Sequence, residues 1–321
     1  MKIDYIIPYI DFNQPEIRQL FKDVTGEEIT NKHNWTTIPL GDVVRLVLKN
    51  LPFINTLFIT CKDIQKLPDD VNGMIESSNG KIRRVNESEF LPEGFITFSS
   101  GCITLFHWRI PGLSEYFIIS NDDIVPVAPM NETMFFDNGK PTIHFYKETN
   151  LFNGLHDYIT ANTNALVFDK RKNFDDFKSC IKTAHTVKPL TISICRECYE
   201  KYENFIKGSL YIRRYFNNFN TDLYSLYGLK NNLIINKKLS YKFKWINIDS
   251  SKLHELDRLI RNNSYDLICF NDDIENIDVY NKVMSKLNII IQNAIEGKCM
   301  AKAVVVPKIV RPTTISDWPV V

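Results

Sequence analysis

Apolar runs alternate with amphipathic stretches through the first half of the chain. Ile3 to Ile10 is rich in β-formers and stops at Asp11, and Gln14 to Val24 then carries apolar residues at helical spacing behind Pro15, which suits a first helical turn. The pattern predicts a strand, an acidic strand end and a helix. Pro8 lacks a ladder donor, so a bulge or an edge position is expected there. Asp42 to Asn50 predicts a short amphipathic helix, and Thr56 to Thr60 and Lys81 to Val85 predict strands. Ser99 or Ser100 is placed to cap a helix reaching about Trp108 before Pro111-Gly112 breaks it, and Glu115 to Ser120 reads as the next strand.

From Asn153 onward the pattern turns helical: Phe174 to Thr183, Leu190 to Ile206, Asp222 to Leu229, Ser251 to Arg261 and Val279 to Ile295. Strand-like pieces are expected only at Tyr241 to Ile248 and Asp266 to Phe270. No low-complexity linker marks a boundary. The expectation is one α/β domain with a mostly parallel, Rossmann-like sheet in residues 1–150, a helix-rich half over 151–302, and an extended, proline-bearing tail over 303–321.

Composition narrows the function classes. A chain of 321 residues that is 44% hydrophobic can bury a full core. Its 39 basic and 38 acidic residues nearly cancel, so bulk charge makes no case for nucleic acid or an anionic membrane as partner. Phosphate binding, if present, has to be local. Asp4 and Pro8 interrupt any signal-peptide core, and no later run approaches a membrane-spanning length. A cytoplasmic protein is expected, with peripheral membrane contact left open. Seven cysteines scattered over such a length fit reduced thiols, and the Cys195/Cys198 pair, without a second pair, reads as a plain helical face.

The candidate chemistry lies in a tripeptide that occurs twice. Tyr116-Phe-Ile-Ile-Ser120 runs into Asn121-Asp122-Asp123, and Leu267-Ile-Cys-Phe270 runs into Asn271-Asp272-Asp273. Adjacent carboxylates where a buried strand meets its loop can hold a divalent cation carrying a substrate phosphate. A helix cap or turn is the other reading of the same residues. Asp273 is read as a helix-start residue.

The first copy sits in a longer context that resembles the Stealth family, sugar-phosphate transferases of microbial capsule synthesis related to N-acetylglucosamine-1-phosphotransferase. The resemblance to that family's second region runs through Asn50-Leu-Pro-Phe-Ile54, Leu91-Pro-Glu93, Thr97-Phe98 and Arg109-Ile-Pro-Gly-Leu-Ser-Glu-Tyr-Phe117 into Asn121-Asp122-Asp123, then Phe135-Phe-Asp137 and Asn138-Gly-Lys-Pro141. Looser matches follow the family's order: Ile3 to Asp11 with Asn13-Gln-Pro15, Ala184-His-Thr186 with Arg214 and Asn220, and Cys269-Phe-Asn-Asp272. The chain departs from the pattern at Trp35 to Asp42, at Phe98-Ser-Ser100, and at Trp108, where the usual histidine is shifted to His107.

The resemblance implies a GT-A-like fold whose residues 1–150 bind nucleotide and metal, with 151–302 completing the site. It implies Asp122 and Asp123 as the pair for Mg²⁺ or Mn²⁺, His185 as a catalytic group, and Asp11, Arg109, Arg214, Asn220, Asn271 and Asp272 as substrate- or phosphate-binding. The implied reaction moves a sugar 1-phosphate from a nucleotide-sugar donor to a hydroxyl of a glycan acceptor. Two readings stay open beside it: an ordinary metal-dependent glycosyltransferase, and an inactive glycan-binding homologue.

Overall fold

The structure, a computed structural model, describes residues 1–29, 38–149, 154–169, 179–248, 253–261, 263–272 and 277–298. The tail expected over 303–321 lies outside them. The chain begins with β1 (Ile3–Pro8), α1 (Pro15–Thr25), α2 (Leu40–Asn50), β2 (Ile54–Cys61), α3 (Asp69–Ser77) and β3 (Ile82–Asn86). The short α4 (Ser100–Thr104) leads to β4 (Tyr116–Ile119), β5 (Ile124–Pro126), β6 (Phe136–Asp137), β7 (Lys140–Ile143) and β8 (Phe145–Glu148). Next come α5 (Leu155–Phe168), β9 (Cys180–Thr183), β10 (Lys188–Thr191), α6 (Ile192–Gly208) and α7 (Asp222–Lys230). The last described elements are β11 (Ile235–Asn236), β12 (Phe243–Ile248), α8 (Leu253–Arg261), β13 (Leu267–Asp272) and α9 (Ile277–Ile295).

The main sheet has the order β10-β4-β1-β2-β3. β1, β2, β3 and β4 run parallel, and β10 closes one edge antiparallel to β4. The expected α/β class with a mostly parallel sheet is thus what the chain forms. Such a sheet has to be covered on both faces, and the period-two alternation along β1 divides its side chains accordingly. Ile3, Tyr5 and Ile7 join the core built with Val43 and Val47 of α2 and Val283, Leu287 and Ile291 of α9. Ile6, with Phe58 and Phe117 of the flanking strands, joins the opposite core with Leu166, Cys198 and Leu223 of α5, α6 and α7. Each such fully buried side chain contributes about 1.5–3 kcal/mol. The Lys49 ammonium at the end of α2 donates to the last carbonyls of α9, 3.0 Å from Ala294 O, where a cation suits the negative end of the helix.

One carboxylate is built into the core. Asp4 of β1 accepts from Thr56 N at 3.0 Å and from Asn55 Nδ2 at 2.9 Å on one oxygen, and from Ser114 N at 2.6 Å on the other. That last bond fixes the Pro-Gly-Leu-Ser turn ahead of β4. Gly112 in the turn has φ +80°, and a Cβ there would stand 2.9 Å from Arg83 Nη1. The positive φ strains any L side chain there, and the mobile Arg83 tip would have to give way as well.

Several boundaries differ from the sequence reading. The expected helix at Phe174 to Thr183 ends in the strand β9, which pairs antiparallel with β8; its residues 174–178 lie outside those described. The expected helix from Leu190 starts at Ile192, because Leu190 is taken into β10 and Thr191 caps the helix by accepting from Ile194 N at 3.2 Å. The helix after Ser99 stops at Thr104 and gives way to a 3-10 turn at His107–Arg109. Strands therefore return after residue 153 at β9, β10 and β11 as well as at β12 and β13. Pro8 is neither in an edge strand nor at the bulge. It ends the central strand, and the register irregularity lies between Ile3 and Tyr5. Among the described residues six cysteines are buried thiols, Cys195 and Cys198 among them on α6, and no helix is long and apolar enough to cross a membrane.

Candidate active site

In an open parallel sheet the ligand crevice lies beyond the carboxyl ends of the strands, where successive connections leave in opposite directions. Here that point falls between β1, which continues toward β2, and β4 on its other side. Tyr9 and Asp11 follow β1, and Asn121-Asp122-Asp123 follows β4. The second Asn-Asp-Asp arrives by a separate route: β13 pairs antiparallel with β5, Cys269 against Ile124, and Phe270 N donates to Asp123 O at 2.9 Å. The same register carried onward sets Asn271 opposite Asp122.

The carboxylates at this corner are held differently. Asp123 is turned toward β13, where the Cys269 thiol donates to its Oδ2 at 3.4 Å. Burial first and the Asp123 charge second keep that thiol protonated. Asp122 is half-buried; its charge and that of Asp11 both raise the Tyr9 phenol, after the larger effect of burial. Asp11 closes its own loop, accepting from Asn13 N at 2.9 Å and Gln14 Nε2 at 3.2 Å. Asp272 pairs through its backbone with Ile248, while its side chain, like all of Asp273, lies outside the described residues.

Beside this corner opens a cleft of about 610 Å³, walled on the strand side by Asn121 and Asn271. Its lining also includes His156, Lys182, His185, Lys188 and Arg214, with Asp222 as the carboxylate among the lining residues; Lys188 reaches it from β10, which pairs with β4 at Ile119. Asp222 is buried and accepts from Thr183 Oγ1 at 2.6 Å, with Lys188 Nζ 3.1 Å from the same oxygen. Burial would raise its carboxyl, but Lys188 and the hydrogen bonds outweigh it and the net shift is downward. Lys188 also donates to Ala184 O at 2.9 Å, which fixes the turn bearing His185. Desolvation in the cleft, then the charges of Lys188, His156 and Lys182, depress His185 to about 4 against a partial pull upward from Asp222. The imidazole, exposed at the cleft, is thereby favoured in its neutral form, which keeps one N–H and leaves the other ring nitrogen able to accept a proton.

Arg214 is positioned by the loop over residues 209–221. Buried Asn218 ties that loop by donating to Ser209 O at 2.6 Å, Thr97 Oγ1 donates to Tyr211 O at 2.6 Å, and Phe98 N donates to Ile212 O at 2.6 Å. Arg214 Nη2 then donates to Ser100 Oγ at 2.5 Å. Gly101, next along α4, lets the loop close, since a Cβ there would lie 3.0 Å from Phe219 O. Asn220 lines the cleft and accepts from Asp222 N at 3.0 Å, capping the turn into α7.

The expected residues thus divide. His185, Arg214, Asn220 and Asn271 line the cleft; Asp122 and Asp123 stand at the corner next to it; Asp11 lies across the corner, near Tyr9. Arg109 is on another face, exposed, with its guanidinium 5.9 Å from the centroid of the Phe106 ring. His107 is fully buried, 3.3 Å from Thr60 Oγ1 and driven by burial to about 3, so it is a neutral core residue. Sequence reasoning missed Lys182, Lys188, Asp222 and His156. The only local sign was the closeness of Lys188 to Ala184-His-Thr186.

Oxygen donors at the corner suit a hard cation such as Mg²⁺ or Mn²⁺, which binds through one or two carboxylates and draws its other ligands from phosphate and water. Among the described residues no group of three or more His, Cys, Asp or Glu is arranged to hold a metal alone.

Residues 39–144 match the family model described as Stealth protein CR2, conserved region 2. The capsular polysaccharide phosphotransferase SacB of Neisseria meningitidis serogroup A is 26% identical over 221 residues, covering 65% of this chain and 39% of that protein. The capsular polysaccharide phosphotransferase LcbA of Aeromonas hydrophila is 30% identical over 221 residues, 65% of this chain and 59% of that one. The exopolysaccharide phosphotransferase CpsY of Mycobacterium tuberculosis is 25% identical over 291 residues, 84% and 52%. The chain therefore spans about two fifths of SacB and about half of CpsY. Among solved structures, the galactosyltransferase LgtC in complex with donor and acceptor sugar analogs gives a TM-score of 0.39 at 10% identity, over 88% of this chain and 95% of that one. A likeness that slight carries no weight on function.

Proposed function

From the match of residues 39–144 to conserved region 2 of the Stealth proteins, we propose that the chain is a Stealth-family transferase that moves a sugar 1-phosphate from a nucleotide-sugar donor to a glycan hydroxyl, forming a phosphodiester in a cell-surface polysaccharide. The observation that supports this reading is one cleft lined by Asn121 and Asn271, each followed in sequence by aspartates, together with Lys182, Lys188, Arg214 and His185, whose pKa is lowered. A diphosphate needs cations for its oxygens, and a hydroxyl nucleophile needs a base within the same cleft.

In this reading the acceptor hydroxyl attacks the phosphorus attached to the sugar, and the nucleoside monophosphate leaves in line. His185 takes the hydroxyl proton. Lys188 and Arg214 stabilise charge on the non-bridging oxygens, and Arg214 does so with the planar fork that matches two of them. Asp122 is the residue that would hold the divalent cation, with Asp123 positioned behind it by Cys269. A bound Mg²⁺ would neutralise donor phosphate charge.

A panel of nucleotide sugars incubated with Mg²⁺ or Mn²⁺, scored by which nucleotide is released, tests this directly. Release of a nucleoside monophosphate is expected. A nucleoside diphosphate would make the protein a glycosyltransferase instead, and no turnover with any donor would make it an inactive homologue.

A further inference from the structure

The cleft is of the size that holds one small ligand. In the transferase reading a nucleotide sugar occupies it, and a polymeric acceptor then lies across its mouth. Close in sequence to the lining residues, two positions from His156 and next to Arg214, three rings are part-exposed to solvent: Tyr158 at 42%, Tyr215 at 48% and Phe216 at 47%. They form a contiguous strip, with ring centroids 4.3 Å apart for Tyr215 and Phe216 and 6.5 Å apart for Tyr158 and Phe216; Tyr211 backs Tyr215 at 5.3 Å.

Exposed aromatic clusters of this kind mark contact surfaces. The strip is also held in place before any ligand arrives: Asn162 Nδ2 donates to Phe216 O at 2.8 Å, Asn217 Nδ2 donates to the Tyr211 hydroxyl at 2.7 Å, and Tyr215 N donates to the buried Asn218 side chain. A surface so fixed loses little freedom on binding. Its charge decides between occupants. Arg213 is ion-paired with Glu27, and Arg214 is turned toward Ser100 in the cleft lining rather than out along the rings, so the strip itself is uncharged. A pyranose fits better: its C–H face is apolar and matches a ring face, while its hydroxyls at the edge meet the amides and phenols flanking the strip.

We propose that Tyr158, Tyr215 and Phe216 form the platform on which the acceptor glycan lies as it enters the cleft. This rests on the transferase reading for its direction, since it names the acceptor side of the same site.

The test is affinity electrophoresis of the full chain through gels cast with a panel of neutral and phosphodiester-linked bacterial polysaccharides, run beside the variants Tyr215→Ala, Phe216→Ala and Phe216→Trp. Retardation of the wild type is expected, weakened about ten-fold by either alanine and retained by tryptophan, with melting temperatures unchanged because the rings are exposed. The shift in melting temperature caused by the donor nucleotide should be the same in every variant. Retardation by no polymer, or equally by wild type and alanine variants, overturns the platform. So does alanine-sensitive binding to phosphatidylglycerol vesicles with no polymer binding, which would make the strip a membrane contact. Ring-dependent polymer binding in a chain that turns over no donor upholds the platform while the transferase reading falls.

Discussion

The acidic corner and the basic lining of the cleft both adjoin Asn121 and Asn271, yet they are built by opposite means. The corner comes from consecutive residues at strand ends, so backbone pairing fixes it: Asp122 and Asp123 go where β4, β5 and β13 put them. The wall is gathered from α5, the strands β9 and β10 with the turn between them, the loop before α7 and α7 itself, and each of its charged groups is set by a side-chain partner. Lys182 has Asp157 at 3.3 Å, Lys188 has Asp222, and Arg214 has Ser100. Removing a corner carboxylate should leave the fold in place and stop chemistry. Removing a wall residue should disturb both.

Asp122→Asn should show the largest effect on turnover, a loss of about 100-fold or more in donor consumption with metal present, at unchanged melting temperature. Wild-type turnover in that variant would break the assignment of the corner to metal. Lys188→Met should be the largest effect on stability. It strands Asp222 as a buried carboxylate, at a cost of about 3 kcal/mol readable in urea unfolding. The folded-state pKa of Asp222 is lowered, so its contribution to stability is present above the ordinary carboxylate range and fades as pH falls through the folded value. Lys188→Met should flatten that acid limb.

A smaller effect is expected on pH dependence. His185 works as a base when neutral and its pKa is depressed, so the acid-side fall in kcat/KM should lie below about pH 6. Lys182 is one of the charges lowering it, so Lys182→Gln should move that limb upward; a downward move would place another group in the role. The smallest effect should come from Arg109→Gln, within about threefold of wild type in turnover, since that side chain stands over Phe106 away from both regions. A loss comparable to that of Arg214→Gln would bring Arg109 back to the site.

The same contrast explains what could be read before the fold was known. A strand end announces itself locally, because an apolar run followed by Asn-Asp-Asp is continuous in sequence; the parallel sheet and the corner were therefore legible. That the two copies would meet was not, since it depends on β13 pairing beside β5 from far along the chain. The wall was harder still. A lysine such as Lys188 or an aspartate such as Asp222 looks like any other polar position until a neighbour buries it. The helical reading of Phe174 to Thr183 hid the strand β9 that carries Lys182 and Thr183, because Cys-Ile-Lys-Thr gains its extended shape from pairing with β8.

The bond between Cys269 and Asp123 joins residues 146 positions apart. Contacts of such separation form late, because a long loop has to close before they give any return. While the chain is being synthesised, the four parallel strands emerge first, with the carboxylates of Asp122 and Asp123 at their rim and no partner strand beside them. The corner is completed only when β13 has arrived. Catalytic competence would then be acquired as one of the last events of folding, and a ribosome-stalled chain ending before Leu267 would carry the first Asn-Asp-Asp without the strand that sets it.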